Sequence, residues 1–152
     1  AGPTVLALSR QGLPALRTAH TDENLCSQGA YEISAASGVA KISILATGSE
    51  VAIAVEAQAL LEADDISTRV VSIPSFELLE RQDEATREEI LGVDTVRVAV
   101  EAMVPFGWDR LVGPNGTFVG MTSFGASAPA PDLYKHFGIT AEGVATSAKQ
   151  HL

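Results

Sequence analysis

Arginine is the side chain that grips a phosphate through two parallel hydrogen bonds, and Arg10 stands where such a grip is useful. It lies in the stretch LALSRQGLP, Leu6 to Pro14, directly behind the apolar run TVLAL. That run is flanked by Pro3 and Gly12 and reads as a short buried strand. In an α/β fold the end of such a strand is where ligands usually meet the protein. Arg10 is therefore an anion-binding candidate, weighed against an ordinary surface charge.

Other constellations are weaker. ATGSEV, Ala46 to Val51, sits at a strand-to-helix turn and invites comparison with a phosphate loop. It has one glycine and no lysine, and Glu50 puts a negative charge where an anion would bind. Thr47 and Glu50 have the spacing of a capping box, so a capped helix start is the plainer reading. Ser127 in FGASAPA has a glycine two residues before it, but Pro129 stands where a nucleophile elbow needs a second glycine. That loop is read as a stiff entry to the next helix. His20, His136 and His151 are far apart and have no metal-ligand spacing, and His136 reads as a helix-end surface residue. The runs EADD and RQDEATREE are most simply solvated helix faces. Glu101 closes the strand-like RVAVEA, where a carboxylate is either functional or, more commonly, a cap or ion-pair partner. No complete catalytic set emerges.

The composition narrows the classes of partner. Ten basic residues face nineteen acidic ones, for a net charge of −9, and no two basic residues are adjacent. A nucleic-acid surface needs a basic stripe to displace counterions, and an anionic membrane surface makes the same demand. Neither partner is expected. A small anion remains possible, given a local cationic pocket. Hydrophobic residues make up 46% of the 152, enough for one domain with its own core. Cys26 is the single cysteine, which excludes an intrachain disulfide and a thiol-rich metal site. No apolar run reaches the roughly 20 residues of a membrane span, and no signal-peptide pattern is present. A cytoplasmic location is the expectation, and the start without methionine suggests processing or a piece of a longer polypeptide.

The elements that must position these residues alternate. After TVLAL, residues 17–32 are polar and aperiodic and read as a linker or a long loop, with a boundary near Asn24 to Gly29. KISILA is a β-branched strand, Gly48 makes the turn, and Val51 to Glu62 is an alanine-rich helix, apolar nearly all round. ISTRVVSIPS is the next strand, parallel to the first and ended by Pro74. SFELLERQ and EATREEIL are short helices, and Thr95 to Ala102 is a third strand. FGWDRLV is a helical turn, GTFVGM a short strand, PDLYKHFG a helix stopped by Gly138, and TAEGVATSAKQHL a terminal helix. Such alternation makes a three-layer αβα sandwich.

Taken in order, SRQGLP, ILATGSEVAIAVEA, TRVVSIPS, VRVAVEA and FVGMTSFGASAPAPDLYKHFGIT resemble the C-terminal end of transketolase. The SRQ and SFGASAPA segments are the most specific. Gly12 and Ala126 stand where relatives often carry Asn and Glu. The resemblance implies an α/β sandwich with a mostly parallel, mixed sheet. It makes residues 1–28 a remnant strand of the preceding pyrimidine-binding domain plus a linker, and residues 29–152 the C-terminal domain. A strand without its sheet neighbours would be an exposed edge. The resemblance also implies that Arg10 contacts the phosphate of a sugar substrate. Thiamine diphosphate and magnesium would belong to the full enzyme and be held upstream, with no catalytic, cofactor or metal residue assigned to this chain. The implied partners are a sugar phosphate, the remaining transketolase domains and a second subunit of a homodimer, and the fragment alone would be inactive. The competing reading is a stand-alone, non-catalytic α/β subunit-interaction module. A nucleotide-binding domain fails for lack of a glycine-rich phosphate loop.

Overall fold

The structure is a computed structural model and describes residues 2–152. Five strands form one sheet: β1 (Tyr31–Ser34), β2 (Ile42–Ala46), β3 (Thr68–Ser72), β4 (Val96–Val100) and β5 (Thr117–Val119). Their spatial order is β1-β3-β2-β4-β5. The pairs β2–β3, β2–β4 and β4–β5 are parallel, and β1 alone runs antiparallel, on β3. The central strand β2 is buried along its whole length, as a strand covered on both faces must be.

Alternation of side chains splits the core in two. On one face Ile42, Ile44, Val70, Val98 and Val100 meet helices α1 (Glu50–Ala63) and α6 (Ala141–Lys149). Ala54 and Ala57 of α1 and Ala148 of α6 are fully buried, so the two helices pack closely through small side chains. On the other face Leu45, Val71 and Ala99 meet Leu79 of α2 (Phe76–Glu80), Leu91 of α3 (Glu84–Leu91), and Trp108 and Leu111 around α4 (Asp109–Val112). Helix α5 (Ala130–His136) enters through Pro129 and is left at Gly138, which has φ of +71°. This is the expected three-layer mixed α/β arrangement.

Three expectations fail. TVLAL is not a strand: Val5, Leu6 and Leu8 are 92%, 77% and 82% exposed, and the segment joins no ladder. A strand needs neighbours to satisfy its N–H and C=O groups, and the five-stranded sheet offers this segment none. The polar stretch at residues 17–32 is not wholly linker either, because it ends by forming a 3-10 turn, Leu25–Gln28, and the first residues of β1. Gly29, at φ of +88°, makes the corner between them, and a Cβ there would lie 2.2 Å from the Leu79 backbone nitrogen. Finally, α1 starts at Glu50 with Ser49 as its N-cap, so Thr47 and Glu50 form no capping box. Gly48 at φ of +56° turns the chain sharply enough to delay the helix until after Ser49.

Candidate functional site at the carboxyl edge of the sheet

The connection leaving β2 passes to β3 on one side, and the chain then returns to β4 on the other. Helix α1 crosses one face and α2 and α3 belong to the other, so the two connections part and leave a crevice beyond the carboxyl ends of β2 and β4. That switch point is the usual ligand site of open α/β sheets. Here it is furnished with side chains from both loops. Glu50, at the start of α1, is only 5% exposed and accepts hydrogen bonds from Ser49 Oγ at 2.8 Å and from the Tyr134 hydroxyl of α5. Glu101, just past β4, accepts from Trp108 Nε1 at 2.5 Å.

The two carboxylates are electrostatic neighbours. Burial pushes the Glu101 carboxyl above the ordinary carboxylate range, the indole hydrogen bond pulls it back in part, and the charge of Glu50 pushes it up further. Burial and the bond to Glu50 likewise raise the Tyr134 phenol above its ordinary value. Glu101 is thus neither a cap nor an ion-pair partner, as its strand-end position suggests, but the acceptor for a buried indole.

A pH dependence follows. The folded-state pKa of Glu101 is raised, so the folded chain binds this proton more tightly than the unfolded chain. Its contribution to stability is most favourable below the ordinary carboxylate pKa and is lost as pH rises through the raised value. Urea midpoints of Glu101→Gln, whose amide oxygen still accepts from Trp108, should therefore gain on the parent progressively from pH 4 to pH 8. A constant offset across that range would contradict the assignment.

The segment carrying Arg10 runs along the same edge. Residues 14–17 border a cleft with Gly48, Val51, Ile33 and Ser72, and Leu16 packs against the α1-side core. Farther along, Gln11 forms one wall of a cavity of about 210 Å³ with Ala102, Met121, Ala126 and Tyr134. The SRQ segment, through Gln11 alone, and the FGASAPA loop therefore border the same cavity. Arg10 itself is exposed, and no ion pair among the described residues includes it. Ser127 is exposed within its loop. The histidines do not converge: His20 bonds Asp22 at 3.1 Å, His136 lies edge-on to Phe137, and His151 bonds the Ser147 carbonyl. Among the described residues no group of three or more His, Cys, Asp or Glu could hold a metal ion, and no helix is long and apolar enough to cross a membrane. Tyr134 and Trp108 carry no motif that marks them in the sequence. The sole tryptophan was the one available signal, since a buried indole seeks an acceptor.

The profile of the transketolase-like TK C-terminal domain matches residues 29–140. The chain belongs to this transketolase family. A transketolase of Sinorhizobium medicae is 55% identical over 151 residues, covering 99% of this chain and 22% of that protein. Transketolase 1 of Escherichia coli is 44% identical over 154 residues, with 99% and 23% covered. Among solved structures, a transketolase mutant from Pichia stipitis superposes with a TM-score of 0.82 at 36% identity, over 93% of this chain and 20% of that one. A transketolase from Leishmania mexicana gives 0.75 at 40% identity, over 83% and 18%. The chain spans under a quarter of the length of these transketolases and corresponds to their C-terminal portion.

Proposed function

We propose that this chain is the C-terminal domain of a thiamine diphosphate-dependent transketolase, which moves a two-carbon ketol unit from a ketose phosphate to an aldose phosphate. The observation that carries the reading is the 55% identity over 99% of the chain to a transketolase. In it, Arg10 grips the substrate phosphate. Its neighbour Gln11 lines a cavity together with the FGASAPA loop, which supports a location of the segment at the carboxyl edge. Binding energy from a remote phosphate can orient the reacting carbonyl. The domain also supports a homodimer in the cytoplasm.

Thiamine diphosphate, with its divalent cation, supplies the carbanion chemistry of such enzymes. The residues of this chain do not fit that group. A diphosphate with its metal requires anion-binding backbone and converging metal ligands, whereas the β2–α1 turn presents the buried Glu50 carboxylate. In this reading the cofactor and the reaction centre are held by the remaining domains.

The test is ketol transfer by the full-length protein supplied with thiamine diphosphate and magnesium. Transfer between phosphorylated sugars by the full-length protein, with none by residues 1–152 alone, is the expected result. A full-length protein that folds and dimerises but transfers nothing would overturn the reading and favour an interaction module.

A further inference from the structure

Phenylalanine is usually buried, and three of the five here conform: Phe76, Phe118 and Phe137 pack against the two sides of the sheet. The other two, Phe106 and Phe124, are 84% and 99% exposed. Both lie at the carboxyl edge. Phe106 is in the β4–α4 loop with Met103 and Val104, which are exposed as well, and Phe124 is in the β5–α5 loop. The two loops are joined, since the Met121 N–H donates to the Met103 carbonyl at 2.8 Å. Val104 and Phe106 line an open cleft there with Pro105 and Gly107. The edge is also free of charge: residues 102–108 and 111–131 contain no Asp, Glu, Lys or Arg, in a chain of net charge −9. An uncharged edge bearing exposed aromatic rings on an acidic domain has the composition of an interface centre.

What covers it is indicated by the path of the chain. Gln11 borders the cavity that Ala102 and Met121 line at the base of the two loops, so the polypeptide comes in at this edge. The nine steps from Gln11 back to Gly2 reach at most about 30 Å, and whatever precedes them is tethered within that radius. The chain covers 22% and 23% of the Sinorhizobium and Escherichia transketolases, at their C-terminal end, so most of such a polypeptide lies ahead of it. A short tether gives an effective concentration in the millimolar range, which favours the tethered domain over any free partner. We propose that the β4–α4 and β5–α5 loops, with Phe106 and Phe124 as anchors, are the docking face for the preceding domain of the same polypeptide. The proposal rests on the reading of residues 1–28 as the tail of that domain plus a linker. A domain seated there also supplies neighbours for Val5, Leu6 and Leu8, which are exposed on a segment that joins no ladder.

The experiment is amide hydrogen exchange, read by mass spectrometry on the full-length protein, in the parent and in a Phe106→Asp/Phe124→Asp double variant. In the parent, residues 102–107 and 121–128 are expected to be protected although they lie in open loops. The double variant should exchange there about tenfold faster and be cut by trypsin after Arg17 about tenfold sooner, because both rates follow the population of the undocked form. Its mass in solution should not change. Val39→Asp, at another exposed apolar residue in the β1–β2 connection, is the control and should leave exchange at the two loops as it is. Free exchange of both loops in the parent would overturn the proposal, as would an unchanged rate in the double variant or an equal loss in the control. Loss of protection together with a halved mass would assign the face to a second copy and overturn it too. If the aspartate variant does not fold, Phe106→Ser/Phe124→Ser makes the same comparison. Protected loops with free exchange at residues 4–9 would remove the reading of the tail and leave the docking face standing; the converse pattern would remove the docking face alone.

Discussion

Replacing Arg10 with alanine in the full-length enzyme should lower kcat/KM for phosphorylated sugars by about 10- to 100-fold and leave unphosphorylated analogues nearly unaffected. The size follows from the interaction: hydrogen bonds to a charged group contribute about 1.5–3 kcal/mol, and each 1.4 kcal/mol is a factor of ten. Arg10 is exposed in this chain and lacks an ion-pair partner among the described residues, so its loss leaves no buried carboxylate behind. The effect should accordingly fall on substrate and not on stability. Steady-state kinetics on matched substrate pairs, with thermal melts as a control, make the check. Equal losses on both kinds of substrate would remove Arg10 from the phosphate site.

The largest stability effect belongs to Trp108. Its ring is fully buried, stands edge-on to Phe76 at 5.0 Å and 86°, lies 6.1 Å from Phe118, and gives its N–H to Glu101. Trp108→Ala removes that packing, opens a cavity against β4 and strips a half-buried carboxylate of its donor. Cavity formation alone costs about 3–5 kcal/mol for a large aromatic. Against a typical stability of about 5–15 kcal/mol, the isolated domain should be close to unfolding at 37 °C. Because this is the only tryptophan, the urea titration must be followed by far-ultraviolet circular dichroism. Trp108→Phe separates the two contributions, since it restores most of the ring and none of the hydrogen bond. A loss of under 1 kcal/mol on Trp108→Ala would mean that α4 is not part of the cooperative core.

Those two residues were not equally legible beforehand. The central strands and the long helix declare themselves through β-branched runs, a glycine turn and an alanine-rich stretch, all local signals. TVLAL carries the same local signal and makes no strand, because strand formation depends on a neighbour. Tyr31–Ser34 carries almost none and becomes a strand, because the free edge of β3 accepts it antiparallel. The candidate site divides in the same way. Glu50 and Glu101 stand out at strand ends, yet their partners lie 84 and 7 residues away and follow from the packing of α5 and α4. The proposed role of Arg10 rests on the resemblance of SRQ, while the cavity that Gln11 shares with the FGASAPA loop is a matter of three dimensions.

The pairing of α6 with α1 sets an order of events when the chain folds. Ala54 and Ala57 are fully buried only with Val144 and Ala148 in place, some ninety residues later. Closing a loop of that length costs about 4 kcal/mol in chain entropy before any contact repays it. The β2–α1–β3 unit can assemble from nearby segments, but until α6 arrives it shows solvent an alanine-rich flank. Non-local closure of this kind slows folding and leaves the intermediate sticky. A helix remote from the proposed phosphate grip thus governs how long the growing chain needs protection from its neighbours.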